Sequence, residues 1–367
     1  MPAVGVLIAN LGTPQAPTAK ALRPYLRQFL SDPRVIELPR WLWSIILNLF
    51  VLTTRPKASA ALYQEIWTEE GSPLLVMAER QTAAVAEALR AEVGTPLHFA
   101  LGMRYGQPSI PKALNELREN GCRRIVFLPL YPHYSATSTA STFDAVAAEL
   151  MTWRRVPELR TIMSYHDEPG FIDALVASIR EVWERDGEPD KLLFSYHGIP
   201  LRYFQNGDPY HCLCHKTSRL VAEKLGIGQE RYDVSFQSRF GREEWLQPYT
   251  DVTIRAMAKA TVGKLDVISP AFSADCLETL EELDGQNREF WVEAGGSDED
   301  YRYLPCLNDR PDHIRLLANL LRRNLAGWVE PAPEFRPQEV RAEVAESERR
   351  AREMAAAGVE EDAGYGS

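Results

Sequence analysis

The sequence is poor in cysteine, has no excess of positive charge and contains no long apolar run. Only 5 of its 367 residues are cysteines, which predicts no disulfide framework and favours a reducing compartment. The 51 acidic residues outnumber the 41 lysines and arginines. An acidic chain is a poor partner for a phosphate backbone, so we expect no nucleic-acid binding. The longest apolar stretch, residues 41–52, is shorter than the roughly 20 residues that cross a bilayer.

The remaining composition is that of a folded globular protein. Hydrophobic residues make up 45% and charged residues 25% of the chain, which are ordinary values. Residues 4–9 are apolar but lack a basic segment and a cleavage site, so they predict a buried strand and not a signal peptide. The length predicts about two domains.

Short apolar runs alternate with helical patterns, which is typical of an α/β fold with parallel sheets. Predicted strands cover residues 4–9, 98–103, 124–130, 191–195, 232–237, 265–270 and 290–293. Predicted helices cover residues 74–92, 110–120, 170–185, 211–225, 251–259, 276–283 and 313–324.

The two halves of the chain repeat one pattern, in which a strand ends in a Gly-x-Pro turn. Asn-Leu-Gly-Thr-Pro occupies residues 10–14, and Tyr-His-Gly-Ile-Pro occupies residues 196–200. The repeat predicts two similar doubly wound (Rossmann-like) domains with parallel sheets, over residues 1–170 and 171–328. Ligands of such sheets bind at the carboxyl ends of the strands, so both turns are expected to face a ligand site.

Residues 329–367 differ in composition from the rest of the chain. Prolines precede a stretch rich in alanine, glutamate and arginine without an apolar stripe. From Glu330 onward there are ten acidic and five basic residues, which is about half of the net charge of −10. We expect a charged, flexible and partly helical tail without a role in the chemistry.

Two segments carry side chains suited to proton or metal chemistry. His197 directly follows a predicted buried strand, where an imidazole can accept protons or bind a transition metal. The alternative is a histidine that only satisfies its own turn. Residues 275–284 predict a helix on which Asp275, Glu278 and Glu282 share one stripe. Such a stripe is either a ladder that passes cations or protons, or a capped and solvated helix start.

Two further segments are open to more than one interpretation. His211, Cys212, Cys214 and His215 suggest a metal cluster, but their spacing is not that of a zinc knuckle. On a helix only the two histidines share a face. Residues 41–57 combine tryptophans with flanking cations, and either contact a membrane surface, line a flat hydrophobic ligand site or form a buried helix.

Ordered motifs along residues 4–325 are similar to those of one known enzyme family. The most specific are Leu-Leu-Phe-Ser-Tyr-His-Gly-Ile-Pro at residues 192–200 and Gly-Asp-Pro-Tyr at residues 207–210. Supporting matches lie at residues 5–14, 25–36, 71–74, 103–105, 236–241, 245–249 and 275–284. The chain resembles the ferrochelatases, which insert ferrous iron into protoporphyrin IX in the last step of haem biosynthesis. The resemblance implies a porphyrin cleft between the two domains.

The resemblance also implies roles for individual residues. His197 and Glu278 match the catalytic residues and metal ligands, and Asp275 and Glu282 match a path for protons or metal. The residues that it places against the porphyrin are Leu11, Tyr63, Ser72, Arg104 and Tyr131. Residues 41–57 match the lip of the cleft, which in the family also faces the membrane.

The resemblance implies Fe(II) and protoporphyrin IX as substrates and no tightly bound cofactor. The two-iron iron–sulfur cluster of animal-type enzymes is not expected, because Ala136 replaces one of its cysteines and no cysteine follows Cys306. Cys276 stands where many relatives have a histidine. The turn at residues 10–12 favours protoporphyrin over coproporphyrin III.

Alternatives to this interpretation are a coproporphyrin III ferrochelatase, and a porphyrin or haem carrier on the same fold that has no turnover. A chelatase for a more polar tetrapyrrole would need a concentration of arginine and lysine that we do not find. We expect a monomeric, cytoplasmic protein that either stays free or lies peripherally at the inner face of the membrane.

Overall fold

The computed structural model describes residues 3–330 and 337–356 and contains two four-stranded parallel sheets. The first sheet has the order β2-β1-β3-β4 and the second β6-β5-β7-β8, so the second half repeats the topology of the first. The strands are β1 (Val4–Thr13), β2 (Leu97–Gly106), β3 (Arg124–Pro129), β4 (Glu158–Thr161), β5 (Lys191–His197), β6 (Tyr232–Gln237), β7 (Leu265–Ile268) and β8 (Tyr301–Leu304). The predicted architecture of two doubly wound α/β units is confirmed.

Helices cover both faces of each sheet, which is why the central strands are continuous apolar runs and do not alternate. In β1 and β5 nearly every residue is buried. The helices are α1 (Ala19–Leu30), α2 (Arg40–Ile46), α3 (Leu52–Ile66), α4 (Pro73–Arg90), α5 (Ile110–Glu119), α6 (Ser141–Leu150), α7 (Pro169–Asp186), α8 (Leu201–Gln205), α9 (Tyr210–Leu225), α10 (Thr250–Lys259), α11 (Leu277–Leu280), α12 (Asn287–Glu293), α13 (Pro311–Leu325) and α14 (Pro337–Ala356). Single π-helical turns occupy Leu47–Val51, Ala136–Ala140 and Glu282–Gln286.

The last helix of the second half returns to the first half. α13 packs against α4 and α7, and its buried leucines belong to one core cluster that includes residues of both sheets. Arg322 pairs with Glu92, and the Arg160 guanidinium donates to the carbonyl of Asn324 at 2.6 Å. The predicted boundary near residue 170 falls at the start of α7, and the division into domains at that residue stays a prediction.

The secondary structure differs from the sequence-based prediction in several places, and α1, α6 and α8 were not among the predicted helices. Residues 290–293 are the end of α12 and not a strand, because Trp291 packs fully buried on one helix face; short apolar runs do not separate the two structures by periodicity. The edge strands β4 and β8 were not predicted, since each is only four residues long. Only residues 277–280 of the predicted helix over residues 276–283 are α-helical.

The tail contains α14, whose arginines and glutamates form i,i+4 ion pairs such as Arg349 with Glu353. Residues 331–336 and 357–367 of the predicted tail lie outside the described residues. Within the described part of the chain, no helix is long and apolar enough to cross a membrane.

Candidate active site

A cavity of about 580 Å³ lies where the carboxyl ends of the two sheets meet. Its wall is formed by the end of β1, by the segments that follow β3, β5, β6 and β7, and by residues of α1, α2, α3 and the segment before α2. The volume is within the usual range for a small-molecule site. Most of the lining is apolar, and the polar groups are few and convergent.

Glycines at both strand-end turns allow the backbone to approach closely. Gly12 has a φ of +107°, and a Cβ at this position would lie 1.8 Å from the carbonyl oxygen of Tyr105. A Cβ on Gly198 would lie 2.9 Å from the carbonyl oxygen of Gln237. The repeated Gly-x-Pro pattern therefore reflects a steric requirement at the floor of the cavity.

His197 ends β5 and lines the cavity. Its Nδ1 lies 2.7 Å from the carbonyl oxygen of Gly198. Because a carbonyl only accepts hydrogen bonds, Nδ1 carries the proton, and Nε2 keeps a lone pair. The imidazole is thus oriented by its own turn and leaves a nitrogen that can accept a proton or bind a metal.

Glu278 lies in the first turn of α11 and also lines the cavity. Cys276 caps this helix, because its backbone N–H donates to Thr279 Oγ1 at 2.9 Å. On the first-half wall, Tyr25 and Tyr63 are close enough for the charge of Glu278 to act on them. Burial raises the pKa of both phenols, and the nearby carboxylate adds to that effect. The two tyrosines therefore stay neutral hydrogen-bond donors.

Gln237 joins the His197 turn to the Glu278 helix. Its carbonyl accepts from Gly198 N–H at 2.9 Å, and its side-chain Nε2 donates to the carbonyl of Glu278 at 2.7 Å. Ser195 Oγ holds the amide by donating to Gln237 Oε1 at 2.7 Å. This residue was not singled out from the sequence, although its position at the carboxyl end of a predicted strand beside β5 is the signal that could have identified it.

Glu282 lies behind Glu278, in the π-helical turn. Its carboxylate accepts from Ser238 N–H at 2.7 Å and from the Ser238 hydroxyl at 2.5 Å. Burial raises the pKa of Glu282, and the charge of Glu278 raises it further, although the Ser238 hydrogen bond and the proximity of His197 act in the opposite direction. His197, Glu278 and Glu282 thus form one electrostatically connected group.

Asp275 has a different environment, because it precedes the helix and does not line the cavity. One oxygen accepts from Tyr303 OH at 2.7 Å and from Thr279 Oγ1 at 3.1 Å. The same oxygen accepts from Cys306 N–H at 3.3 Å, and the other accepts from Asn308 Nδ2 at 2.7 Å. The predicted stripe of three carboxylates is therefore broken, since only Glu278 and Glu282 come together.

Of the five residues predicted to contact a porphyrin, four line the cavity: Leu11, Tyr63, Ser72 and Tyr131. Arg104 is not part of this wall; its guanidinium pairs with Asp32 and donates to Ser141 Oγ at 2.7 Å. Tyr105 also donates to Asp32, at 2.8 Å.

Four buried polar atoms in the cavity wall have no hydrogen-bond partner among the described residues: Thr13 Oγ1, Tyr131 OH, His133 Nδ1 and Trp245 Nε1. Buried polar groups in proteins normally have a partner. Their concentration at this cavity favours a bound ligand or ordered water as the missing partner, and of these four residues only Tyr131 was among the predicted site residues.

The segment over residues 41–57 has two faces. Trp43, Val51 and Arg55 line the cavity, whereas Trp41 is 71% exposed and Phe50 is 63% exposed. Exposed aromatic and aliphatic side chains at this density are uncommon on a soluble surface. The segment is therefore both a wall of the cavity and an external apolar surface.

Within residues 3–330 and 337–356, no group of three or more histidine, cysteine or acidic side chains is arranged to hold a metal ion. Cys276 lines the cavity, and burial raises the pKa of its thiol well above the ordinary value. It is therefore a neutral thiol and not a thiolate ligand at neutral pH. The expectation that no iron–sulfur cluster is present stays a prediction.

Comparison with known proteins agrees with the motifs. The family model described as Ferrochelatase matches residues 3–325. A ferrochelatase of Hydrogenovibrio crunogenus is 56% identical over 333 residues, which cover 90% of this chain and 88% of that protein. Ferrochelatase 2 of Shewanella oneidensis is 53% identical over 319 residues, which cover 87% of this chain and 97% of that protein.

A solved structure of SirB from Bacillus subtilis with Fe³⁺ is similar in fold. The TM-score is 0.52 at 12% sequence identity, and the alignment covers 89% of this chain and 96% of that chain. At this identity the likeness concerns the two-sheet architecture alone.

Proposed function

The chain belongs to the ferrochelatase family, whose enzymes insert a metal into a porphyrin, and on that premise we propose that it inserts Fe(II) into protoporphyrin IX to give protohaem. The observation that carries the proposal is that His197 and Glu278 both line one largely apolar cavity, with His197 Nδ1 held by its own turn. The family assignment favours an enzyme over the carrier without turnover.

Insertion releases the two pyrrole N–H protons of the macrocycle as the iron enters. His197 Nε2 has the lone pair to accept a proton from the ring, since Nδ1–H is held by Gly198. Glu278 supplies a carboxylate on the same cavity, and a base at hydrogen-bond distance is what proton removal requires. Imidazole and carboxylate are both suitable transient ligands for ferrous iron, so the same two groups serve as the metal site.

We assign Glu282 and Asp275 different roles. The raised pKa of Glu282 and its proximity to Glu278 and His197 suit a group that passes protons between the cavity and solvent. Asp275 accepts four hydrogen bonds from fixed donors. We propose that it anchors the turn that presents Glu278, so its predicted place in the path is replaced by a positioning role.

The distribution of charge in the cavity favours protoporphyrin IX over coproporphyrin III. Arg202 lines the cavity but is paired with Glu37 and Glu243. Arg55 and Arg242 line it without a salt bridge in the described part of the chain. Two unpaired cations match the two carboxylates of protoporphyrin better than the four of coproporphyrin III, and the apolar wall suits vinyl groups.

A direct test is anaerobic insertion of Fe(II), followed by the Soret band, with protoporphyrin IX and coproporphyrin III as competing substrates. We expect a higher kcat/KM with protoporphyrin IX. The double variant Arg55→Gln/Arg242→Gln should raise KM for protoporphyrin with little change in kcat, because it removes binding and not chemistry. A higher kcat/KM with coproporphyrin III would contradict the substrate assignment, and no spectral change with either substrate would contradict the activity.

We further propose peripheral contact with a lipid surface through Trp41, Ile45, Leu49 and Phe50, all of which are exposed. Such side chains partition into the interfacial region of a bilayer. The variant Trp41→Glu/Phe50→Glu should sediment less with phosphatidylcholine vesicles, whereas Val156→Glu, at an exposed apolar residue elsewhere, should sediment like wild type. Equal sedimentation of all three would contradict the contact. The monomeric state stays a prediction.

A further inference from the structure

The histidines of the His211–His215 motif come together on one face of α9. Their ring centroids are 4.4 Å apart, as expected for positions i and i+4 of a helix. His211 is partly exposed and His215 is exposed. The motif is therefore not part of the cavity, although α9 begins at Tyr210, which lines it.

The rings have the properties of free ligands. In the described part of the chain, neither ring has a hydrogen-bond or salt-bridge partner; their recorded contacts are with each other, Phe204 and Phe236. His211 stacks on Phe236 with an interplanar angle of 21°, which fixes its orientation. Burial lowers the pKa of both imidazoles, and the neighbouring His211 lowers that of His215 further. Both are neutral at pH 7, with nitrogen lone pairs available.

The surrounding charges permit a cation at this position. Lys216 is paired with Asp167, and Arg219 is paired with Glu223. His215 also borders a surface depression with Asp233 on its wall, so solvent reaches the ring. Two imidazoles one helical turn apart are the helical portion of known zinc motifs, and imidazole suits the later divalent transition metals.

We propose that His211 and His215 chelate a divalent transition metal outside the cavity, with water completing the coordination. Cys214 is not a ligand, because its side chain is fully buried. Cys212 is exposed but lies next to His211 along the chain and is not required. The site is distinct from His197 and Glu278, so its occupancy does not depend on the insertion reaction.

The test is a calorimetric titration of the full-length protein with NiCl₂ at pH 7.5, without porphyrin. Ni²⁺ is redox-inert here and ranks high in affinity for imidazole. Wild type should bind one equivalent more than His211→Ala or His215→Ala, or bind it roughly tenfold more tightly. Any Ni²⁺ bound at His197 and Glu278 is common to all the variants and cancels in the comparison.

His98→Ala and Cys212→Ser are the matched controls, and both should titrate like wild type. As a second measurement, NiCl₂ should raise the thermal midpoint of wild type by more than that of His215→Ala. Equal stoichiometry and affinity in wild type and both histidine variants would overturn the proposal. Loss in Cys212→Ser with binding retained in His211→Ala would also overturn it, because the ligands would then be a different pair.

Discussion

Asp275 and Glu282 flank Glu278 at helical spacing, yet the fold gives them opposite environments. Asp275 accepts four hydrogen bonds, all from residues that do not line the cavity. Glu282 is held by the loop residue Ser238 and by Gln237 at 3.4 Å, and is under the influence of Glu278 and His197. One carboxylate is fully satisfied by fixed donors, and the other is buried with a raised pKa.

The difference shows that spacing along the chain does not decide what an acidic residue does. A carboxylate whose oxygens accept several hydrogen bonds from fixed donors stabilises the turn that supplies those donors. A carboxylate that is desolvated near other titratable groups is poised to exchange protons. Variants of Asp275, Glu278 and Glu282 should therefore distinguish a loss of folding stability from a loss of catalytic activity.

The largest expected effect is at Glu278, which lies between the two. Glu278→Gln keeps the size of the side chain and removes the charge and the base. We expect kcat for Fe(II) insertion to fall by roughly 10²- to 10⁴-fold, the usual contribution of a positioned acid or base. Quenching of tryptophan fluorescence by protoporphyrin should still report binding. A kcat within threefold of wild type would remove Glu278 from the mechanism.

Asp275→Ala should act mainly on stability. It removes the acceptor of the Tyr303, Asn308 and Cys306 donors, whereas Thr279 can still donate to the carbonyl of Cys276. Unsatisfied buried donors cost about 1–3 kcal/mol each before they find new partners. We expect urea unfolding to show a loss of about 2–4 kcal/mol. Asp275→Asn, which keeps an acceptor, should retain most of the kcat. If Asp275→Asn had unchanged stability but a much lower kcat, Asp275 would belong to the path for protons or metal, as the resemblance implies.

Glu282→Gln should act mainly on the pH dependence. Burial raises the pKa of Glu282, so ionisation of this side chain is disfavoured in the folded state. The contribution of Glu282 to the free energy of unfolding is therefore fully present at low pH and is lost as the pH rises through the raised pKa. The stability of Glu282→Gln should not show this decrease with pH. A plot of its kcat against pH should lack the corresponding acid limb, and its kcat should be reduced roughly tenfold. Identical profiles for wild type and variant would assign the limb to another group.

The smallest effect is expected for Gln237→Leu, which removes the side-chain amide that joins the His197 turn to the Glu278 helix. The Glu278 carbonyl loses a donor at 2.7 Å, so Glu278 is less well positioned. We expect kcat to fall by about three- to tenfold, because a small misplacement of a reacting group is costly. KM for protoporphyrin should change little, and Gln237→Glu should not rescue the rate. A change confined to KM would place Gln237 in substrate binding.

The repeated strand and turn pattern was enough to predict the two parallel sheets and the position of His197 at a strand end. It also identified Glu278, because that residue follows β7 at the same edge. The edge strands β4 and β8 could not be predicted, since their hydrogen bonds to β3 and β7 and not their own sequences create them. The orientation of Asp275 could not be predicted, because it depends on Tyr303 and Asn308, which are distant in sequence. The predicted stripe also assumed a continuous α-helix, whereas the chain forms a π-helical turn at Glu282–Gln286.

The most direct test of the central claim, that His197 and Glu278 act together in one cavity, is single-turnover insertion by His197→Ala. Anaerobic protein preloaded with protoporphyrin IX is mixed with Fe(II), and formation of haem is followed at the Soret band. We predict that insertion falls by roughly 10²-fold or more, while protoporphyrin binding changes by less than about threefold, or 0.7 kcal/mol. Near-normal insertion by this variant would contradict the account.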